Sequence, residues 1–323
     1  MSKINILFIA YASREIGFGH ISRCLSLISQ LPKNYNISFF TNSPELLEGE
    51  LIRNSINVVL CYEDVFDLDL DIIVYDSSKK NDSLLKLIKQ NQEVTVIALD
   101  NFEYDSKYIR IFINLFDQNP SANKPRGKRI YTGLKYSIIS DIFFQYRRNF
   151  SAHNKIDLKN IMIIFGGSDP NKHTINTLKS LLRIKLLSKI SVILGPLNNI
   201  YDEVKSIKDE GPGNIEIFVE PKNLPELMSN QQLAFSGCAT TFFELSYLGV
   251  PSIIIPQNKA EKKFSQHLYS SNLTLNTSLS LSKSLYQIQN LRTYNNIKKQ
   301  QMNVFDGNGL KRISEIIEKV ANA

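Results

Sequence analysis

The 323-residue chain is poor in the residues that build cross-links and metal sites, with only three cysteines and four histidines. Cys24, Cys61 and Cys238 lie far apart, and no two cysteines have the CxxC spacing. An odd number of distant cysteines argues against a disulfide framework and against a structural zinc site. The composition, 43% hydrophobic and 21% charged, is instead typical of globular domains with large apolar cores.

Long apolar runs are also missing. No stretch approaches the ~20 apolar residues that a helix needs to cross a bilayer. The first apolar run, INILFIAY, is too short for a signal-peptide core, and Arg14 and Glu15 follow it closely. These features predict a cytoplasmic protein.

Charge of one sign is not concentrated in any segment. The formal net charge is +7 and the isoelectric point about 9.1, but lysines alternate with acids, as in KAEKK and EIIEK. Such a spread is typical of a solvated surface and argues against nucleic-acid binding. We expect the net positive charge to attract an anionic substrate and to permit weak association with an anionic membrane surface.

Short apolar runs alternate with longer amphipathic stretches along the chain. This pattern predicts an α/β fold in which helices cover parallel sheets, with a long polar loop over 118–133. The pattern restarts at IMIIFGGSDP, so we expect two Rossmann-like domains that face a cleft, residues 1–150 and residues 151–323. The amphipathic segment GLKRISEIIEKVANA is predicted to be a terminal helix of the second domain. Ligands of such sheets bind where the strands end.

The first predicted strand is followed by IGFGH, in which Gly17 and Gly19 predict a tight turn before a helix over His20–Leu31. The turn lacks the nicotinamide fingerprint, because Ser22 stands at the third glycine position and the second strand ends without a carboxylate. A helix N-terminus favours a neutral imidazole, which can serve as a general base. His20 is therefore a candidate catalytic residue; the alternative is a capping or packing histidine.

Three polar residues stand at or near the ends of other strands in the first half: Asp76, Asp100 and Asn114. Each is a candidate sugar contact, or a residue that caps a loop. The DLDLD segment at 67–71 contains a DxD spacing that suits a divalent metal, but it more simply marks the exposed start of a strand. His153, His173 and His267 have neither a GxSxG nor a catalytic-cysteine context and are interpreted as surface or capping residues.

The second domain offers two turns suited to phosphate. In FGGSDP, Gly166, Gly167 and Ser168 follow a strand, while Asp169 suits a helix N-cap and Pro170 the first helical position. Bare N–H groups in such a turn hold phosphates without a metal. The alternative is a well-capped turn that binds nothing.

The second turn lies in SGCATTFFELSYLG, where Thr240 and Thr241 stand at a predicted helix N-terminus and are suited to bind a diphosphate. Glu244 lies on nearly the same face and is suited to accept hydrogen bonds from both ribose hydroxyls. The alternative is a capping box between Thr241 and Glu244.

The segment IGFGHISRCLSLI resembles the GxGHxxRxLxLA signature of the pseudaminic-acid pathway nucleotide-sugar hydrolases and of the related spore-coat polysaccharide proteins. The resemblance implies a fold of glycosyltransferase B (GT-B) type and the removal of UDP from a 2,4-diacetamido-2,4,6-trideoxy hexose without a metal or other cofactor. It places the catalytic histidine at His20. It places the nucleotide contacts at Gly166, Gly167, Ser168, Thr240, Thr241 and Glu244.

Two positions depart from that family's pattern. Ser77-Ser78 replaces a His-Tyr pair, and Ala260-Glu261 replaces an Asn-Gln pair, for which Asn258 is a nearby substitute. These departures keep a second reading open, a GT-B glycosyltransferase that uses a UDP-sugar donor in surface polysaccharide biosynthesis. A binder without catalytic activity is a third reading, although it would need no base at His20.

Overall fold

The computed structural model describes residues 3–13, 18–47, 56–77, 82–91, 93–100, 106–116, 126–184, 188–211 and 214–323. The chain divides into two compact units. Unit 1 comprises Met1–Ile138 and Asn308–Ala323, and unit 2 comprises Ile139–Gly307. Each unit is a parallel α/β domain, which confirms the predicted fold class.

Within the described residues, unit 1 contains a seven-stranded sheet of entirely parallel pairs. The strands are β1 (Asn5–Ala10), β2 (Asn36–Phe40), β3 (Asn57–Val59), β4 (Ile72–Asp76), β5 (Thr95–Leu99), β6 (Ile111–Asn114) and β7 (Arg129–Thr132). Their order in the sheet is β3-β2-β1-β4-β5-β6-β7. The central strands β1 and β4 are continuous apolar runs buried on both faces, as parallel sheets require.

The helices of unit 1 are α1 (Gly19–Gln30), α2 (Tyr62–Phe66), α3 (Asp82–Asn91) and α11 (Gly309–Ala321), with 3-10 turns at Pro44–Leu47 and Leu134–Tyr136. Helix α1 buries one apolar stripe that includes Ile21, Cys24 and Leu25. Because these residues recur every three to four positions, the helix lies flat on the sheet.

Unit 2 contains a five-stranded parallel sheet in the order β10-β9-β8-β11-β12. The strands are β8 (Asn160–Ile164), β9 (Lys189–Leu194), β10 (Ile215–Val219), β11 (Leu233–Ser236) and β12 (Ser252–Ile254). The helices are α4 (His173–Arg183), α5 (Tyr201–Glu210), α6 (Leu224–Ser229), α7 (Thr240–Leu248), α8 (Lys259–Ser270), α9 (Leu281–Ile288) and α10 (Leu291–Val304), with a 3-10 segment at Asp141–Tyr146.

Two local predictions in the first half need correction. Strand β7 lies within the stretch 118–133 that the sequence predicts to be a loop. The sequence gives no sign of this strand, because RIYT is a short, partly exposed edge segment without an apolar run. A helix is predicted over 44–54, but the described part is only the 3-10 turn Pro44–Leu47. Residues 48–54 of that prediction lie outside the described residues.

The terminal helix also belongs elsewhere than predicted. Helix α11 joins unit 1, where Leu310, Ile313 and Ile317 are buried in the same core cluster as Ile21 of α1. At its first residue, a Cβ on Gly309 would collide with the backbone carbonyl of Ser137, so only glycine permits this approach. The prediction of one continuous domain over 151–323 is therefore wrong for the last helix.

Because α11 packs in unit 1, shortening one of its core side chains should destabilise unit 1. Replacing the buried Ile313 with alanine should lower the free energy of unfolding of unit 1 by about 2–5 kcal/mol, because it leaves a cavity under α11. Unfolding monitored by hydrogen exchange should show the loss of protection in β1 and β4 and not in β8. The exposed Glu315→Ala on the same helix is the control, and weakened protection confined to unit 2 would contradict the placement.

Candidate functional site

The main candidates of each unit, His20 and Asp76 in unit 1 and the two turns in unit 2, lie at the point where the strand order reverses. In unit 1, β1 and β4 are neighbours, with Ala10 opposite Asp76, and the chain winds away from them in opposite directions. In unit 2, β8 and β11 are neighbours in the same way, with Ile164 opposite Ser236. Ligands of open α/β sheets bind in the crevice at this switch point, beyond the carboxyl ends of the strands.

The unit 1 site is built around a fully buried carboxylate. Asp76, the last residue of β4, has no exposed surface. Its Oδ1 atom lies 2.7 Å from Nδ1 of His20, in the first turn of α1. The first turn of α1 thus places the histidine over the end of the neighbouring strand. The His20 side chain keeps 18% of its surface exposed.

Arg23 completes this arrangement and was not among the predicted site residues. Its Nε donates to Oδ2 of Asp76 at 2.5 Å, Nη2 donates to Oδ1 of the same carboxylate, and Nη1 donates to Oδ2 of Asp100 at 2.6 Å. Burial alone would lower the pKa of Arg23, but the charges of Asp76 and Asp100 more than offset this effect and raise the pKa above its usual value. The guanidinium therefore stays charged. Only the R of the GxGHxxR signature could have indicated this residue.

The charges decide which nitrogen of His20 holds a proton. Burial alone would raise the pKa of Asp76, but the charge of Arg23 and the hydrogen bonds from Arg23 and His20 hold it well below its usual range. An ionised carboxylate only accepts hydrogen bonds, so Nδ1 of His20 must donate to it. Arg23 Nη2 is 3.2 Å from the same nitrogen, but it too is a donor and its hydrogen bond goes to Asp76. In the neutral imidazole, Nε2 is then left with the lone pair, as a general base requires.

The other predicted residues of unit 1 lie around this network. Asp100 follows β5 with a left-handed φ of 48° and accepts a hydrogen bond from Leu115 N at 3.0 Å. Asn114 is fully buried at the end of β6, where its carbonyl accepts from Gly133 N. Gly19 is the first residue of α1, whereas Gly17 and Ser78 lie outside the described residues. The structure therefore brings His20, Asp76 and Asp100 together.

The first turn of unit 2 leaves β8 through Gly166, whose φ of 77° favours glycine. The turn packs against Gly195 at the end of β9, a residue the sequence did not single out, where a Cβ would collide with the backbone of Gly166 and Gly167. Ser168 is buried, and its hydroxyl makes no hydrogen bond to the described residues.

Asp169 is not the N-cap residue of α4 as predicted, since Lys172 occupies that position, but its two oxygens accept from His173 N at 2.9 Å and Thr174 N at 2.7 Å in the first turn of the helix. The prediction that Pro170 occupies the first helical position is wrong. The helix begins at His173, after a turn in which Lys172 is left-handed.

The second turn of unit 2 leaves β11 and enters α7 at Thr240. The two turns converge, because a Cβ on Gly166 would lie 3.9 Å from Oγ1 of Thr241. Neither threonine hydroxyl bonds to a described residue. The capping-box alternative is wrong, since the N-cap of α7 is Ala239 and no side chain caps the helix.

Glu244 lies one turn further along α7. Its side chain is mostly shielded from water, and burial raises its pKa to about 8. Its carboxyl group makes no hydrogen bond or ion pair within the part of the chain that the structure describes. A buried carboxyl group without a partner costs stability once it ionises, so its presence calls for a ligand that donates hydrogen bonds.

The raised pKa of Glu244 predicts a specific pH dependence of stability. Between pH 4.5 and about pH 8 the unfolded chain releases this proton while the folded chain keeps it, so the group lowers the free energy of unfolding as pH rises. Relative to the wild type, the Glu244→Gln variant should gain no free energy of unfolding below this pH window. Its gain should grow steadily as the pH rises through the window, and urea unfolding measures the difference. The exposed Glu226→Gln is the control, and a pH-independent difference for Glu244→Gln would contradict the prediction.

The family departure at 260–261 has a structural consequence. Oε2 of Glu261 accepts hydrogen bonds from the backbone N–H groups of Cys238 and Gln257, both at 3.0 Å. Asn258 caps α8 by accepting from Glu261 N at 2.9 Å, so its side chain is already engaged. The carboxylate therefore ties the β11 turn to the start of α8, a contact that the sequence did not reveal.

Several remaining candidates have structural roles. Asp71 of the DxD segment accepts from Asn5 N at 2.8 Å just before β4, which confirms it as a strand start. His153, His173 and His267 are only partly exposed, and each ring lies against an aromatic residue, which corrects the surface interpretation. Among the helices of the described residues, none combines the length and apolar character needed to span a membrane.

Comparison with known proteins agrees with this geometry. The profile of the glycosyltransferase family 28 C-terminal domain matches residues 161–316. The chain is 28% identical to MJ1062 of Methanocaldococcus jannaschii over 80% of its own length, but it spans only 57% of that protein.

Two further relatives carry descriptive names. The spore coat polysaccharide biosynthesis protein SpsG of Bacillus subtilis is 22% identical, over 94% of this chain and 95% of that protein. The UDP-2,4-diacetamido-2,4,6-trideoxy-beta-L-altropyranose hydrolase of Campylobacter jejuni is 25% identical, over 70% of this chain and 82% of that protein.

Solved structures show the fold at low identity. CalG4, the calicheamicin glycosyltransferase, has a TM-score of 0.67 and 13% identity, over 100% of this chain and 99% of that chain. The UDP-GlcNAc 2-epimerase from Neisseria meningitidis, solved with UDP-GlcNAc bound, has a TM-score of 0.62 and 14% identity, over 98% of this chain and 100% of that one. The fold is therefore GT-B glycosyltransferase-like, and because it serves different reactions, the reaction must be argued from the site.

Proposed function

We propose that this protein is a nucleotide-sugar hydrolase that removes UDP from a 2,4-diacetamido-2,4,6-trideoxy hexose, with His20 as general base and without a metal. The observation that carries the proposal is the His20–Asp76–Arg23 arrangement at the switch point of unit 1. A histidine that only packed or capped would not need a buried, ionised carboxylate to hold its Nδ1 proton. The named Campylobacter jejuni relative supports the substrate class.

In the proposed reaction, Nε2 of His20 accepts a proton from water as the water oxygen bonds to the anomeric carbon. The bond between that carbon and the diphosphate oxygen breaks, and UDP departs with the electron pair. Asp76 holds the ring in orientation and stabilises the imidazolium that forms, as the carboxylate of a catalytic triad does. Arg23 keeps Asp76 ionised throughout.

Unit 2 is proposed to hold the UDP. The Gly166–Gly167–Ser168 turn and the hydroxyls of Thr240 and Thr241 would bind the diphosphate, with the N-terminus of α7 adding its dipole. Glu244 would accept hydrogen bonds from the two ribose hydroxyls. Its lack of a protein partner supports this role, because the ligand would supply the donors that the chain does not.

A single hydroxyl tests the diphosphate assignment. The Thr241→Val variant keeps the shape of the side chain but removes its donor, so we expect UDP to bind about 10- to 100-fold more weakly. Isothermal titration calorimetry with UDP measures this directly. Unchanged affinity would remove Thr241 from the proposed site.

A glycosyltransferase is the second candidate function, favoured by the family 28 match over 161–316. It would use the same UDP-sugar and the same histidine but would activate an acceptor hydroxyl in place of water, in the synthesis of a surface polysaccharide. Both functions therefore share the UDP site and differ in what His20 deprotonates.

The test is UDP release from a panel of UDP-2,4-diacetamido-2,4,6-trideoxy hexoses with EDTA present and no acceptor. UDP-GlcNAc serves as the comparison sugar. Release from one member of the panel would support the hydrolase and identify its sugar. If no member of the panel releases UDP while calorimetry still shows UDP binding, the transferase becomes the favoured function.

A further inference from the structure

Unit 2 contains a cavity that none of the residues of the nucleotide turns lines. It has a volume of about 390 Å³ and is lined by residues that include Arg148, His153, Asn160, Gln231, Gly249 and Lys298. Asn160 begins β8, Gln231 precedes β11 and Gly249 precedes β12. The cavity thus lies at the amino ends of these strands, the opposite edge of the sheet from the Gly166 and Thr240 turns. We call it the amino-edge cavity.

The charges of the amino-edge cavity are of one sign. Arg148 and Lys298 both line it, and none of the described residues that line it is an aspartate or glutamate. Arg148 makes no ion pair or hydrogen bond with any described residue. Burial lowers the pKa of Lys298 and the nearby charge of Arg148 lowers it further, so the two cations lie close enough to repel each other.

The lysine is nevertheless held in place on two sides. Its Nζ lies 3.0 Å from Nε2 of His153 and donates to it. Its stem packs against Gly249, where an added Cβ would lie 3.3 Å from Cε of Lys298. Rather than extending into water, as an unpaired lysine normally does, this side chain is fixed beside a second cation.

The histidine beneath it is itself rigidly anchored. The backbone of His153 exchanges two hydrogen bonds with the side-chain amide of Asn295, each at 2.9 Å, and its ring lies edge-on against Tyr294 at 5.2 Å. Burial lowers the pKa of His153, and Lys298 lowers it further, so the ring remains a neutral acceptor for the lysine. The histidine and the lysine are thus held in place before any ligand arrives.

The remaining lining groups are polar and incompletely used. Five of the lining residues are asparagine or glutamine, which donate and accept hydrogen bonds. Oε1 of Gln231 is buried without a hydrogen-bond partner among the described residues, and as an acceptor it suits a donor such as a sugar hydroxyl. A site with two cations, neutral amides and no acid among its described residues fits an anion with several oxygen atoms.

We propose that the amino-edge cavity binds a phosphate group, carried either by a phosphorylated sugar or by free phosphate. Arg148 and Lys298 bind the anion and the amides hydrogen-bond to its oxygen atoms or to the sugar hydroxyls. The volume exceeds that of one phosphate ion, so it has room for an attached sugar. This proposal does not depend on the function proposed for the nucleotide turns, because none of those residues lines the cavity.

Calorimetric titration of the full chain tests the proposal with three probes: inorganic phosphate, glucose 1-phosphate and uncharged glucose. We expect the phosphorylated probes to bind and glucose not to bind, and the tighter of the two phosphorylated probes identifies the source of the phosphate group. The Arg148→Gln and Lys298→Gln variants should each weaken binding about 10- to 100-fold, as the loss of a charged hydrogen bond does. Arg148 is exposed, so its variant carries little risk to folding.

Two controls make the outcome decisive. Lys299→Gln removes the same charge from the next residue of α10, which is exposed and does not line the cavity, and it should leave the affinity unchanged. Thr241→Val alters the nucleotide turn and should also leave it unchanged. The proposal would be overturned if neither inorganic phosphate nor glucose 1-phosphate bound, if the Arg148→Gln and Lys298→Gln variants bound as tightly as the wild type, or if only Thr241→Val lost binding.

Discussion

The His20→Asn variant is expected to release UDP from its sugar substrate about 10²- to 10⁴-fold more slowly than the wild-type chain, because it lacks a general base. The asparagine amide can still donate toward Asp76, but it has no basic nitrogen in place of Nε2. UDP affinity should stay close to that of the wild type, because the proposed UDP contacts all lie in unit 2. Steady-state UDP release together with calorimetric titration of UDP measures both quantities.

The matched control for this variant is His267→Asn, which makes the same exchange on α8 of unit 2. His267 is partly buried and its ring stacks on Phe264 at 6.4 Å, so the exchange tests a histidine with a packing role. We expect its rate of UDP release to stay near that of the wild type. A His20→Asn variant that kept its rate, or that lost UDP affinity in proportion to rate, would refute the role given to His20.

The Asp76→Asn variant should lose both stability and activity. The change leaves the guanidinium of Arg23 buried with Asp100 as its main acidic partner, and breaking a buried ion pair in this way costs about 3–5 kcal/mol of the free energy of unfolding. It also replaces a carboxylate that can only accept with an amide that can also donate, so the proton of His20 is no longer fixed on Nδ1. Urea unfolding and UDP release measure the two losses.

A double variant separates the structural from the chemical role of Asp76. Arg23→Met combined with Asp76→Leu removes both buried charges, so much of the stability should return while UDP release remains lost. Asp100→Asn is the milder control, because the Asp100 side chain keeps 23% of its surface exposed. If Asp76→Asn were as stable as the wild type, the ion pair could not have the importance given to it here.

The same pair predicts behaviour in acid. Because Arg23 and His20 hold the pKa of Asp76 well below its usual value of 3.8, the folded chain resists protonating it. The resulting stability is fully present above pH 3.8 and is lost as the pH falls below it. Unfolding measured down this range should show a steeper acid loss for the wild type than for the double variant.

The strands and the residues that follow them could be predicted, because apolar runs of this length fit few structures other than buried strands. The segments INILFIA and DIIVYD became the adjacent strands β1 and β4, and the residues predicted at their ends, His20 and Asp76, do meet. Glycine and threonine positions likewise predicted the two turns of unit 2, which the structure brings together at Gly166 and Thr241.

What the sequence could not show depends on contacts between distant segments. Arg23 bonds to carboxylates 53 and 77 residues away, and no local pattern indicates such partners. The apolar stripe of α11 predicts a helix, but the same stripe fits the core of either unit, so its placement in unit 1 required the structure. Strand β7 was missed because an edge strand buries too little surface to need an apolar run.

The most direct test of the proposed chemistry is hydrolysis of the UDP-sugar in ¹⁸O-labelled water, followed by mass spectrometry of both products. If water activated by His20 attacks the anomeric carbon, the label will appear in the free sugar and UDP will contain none. Label in the UDP would mean that water attacks phosphorus, and this would contradict the role assigned to His20.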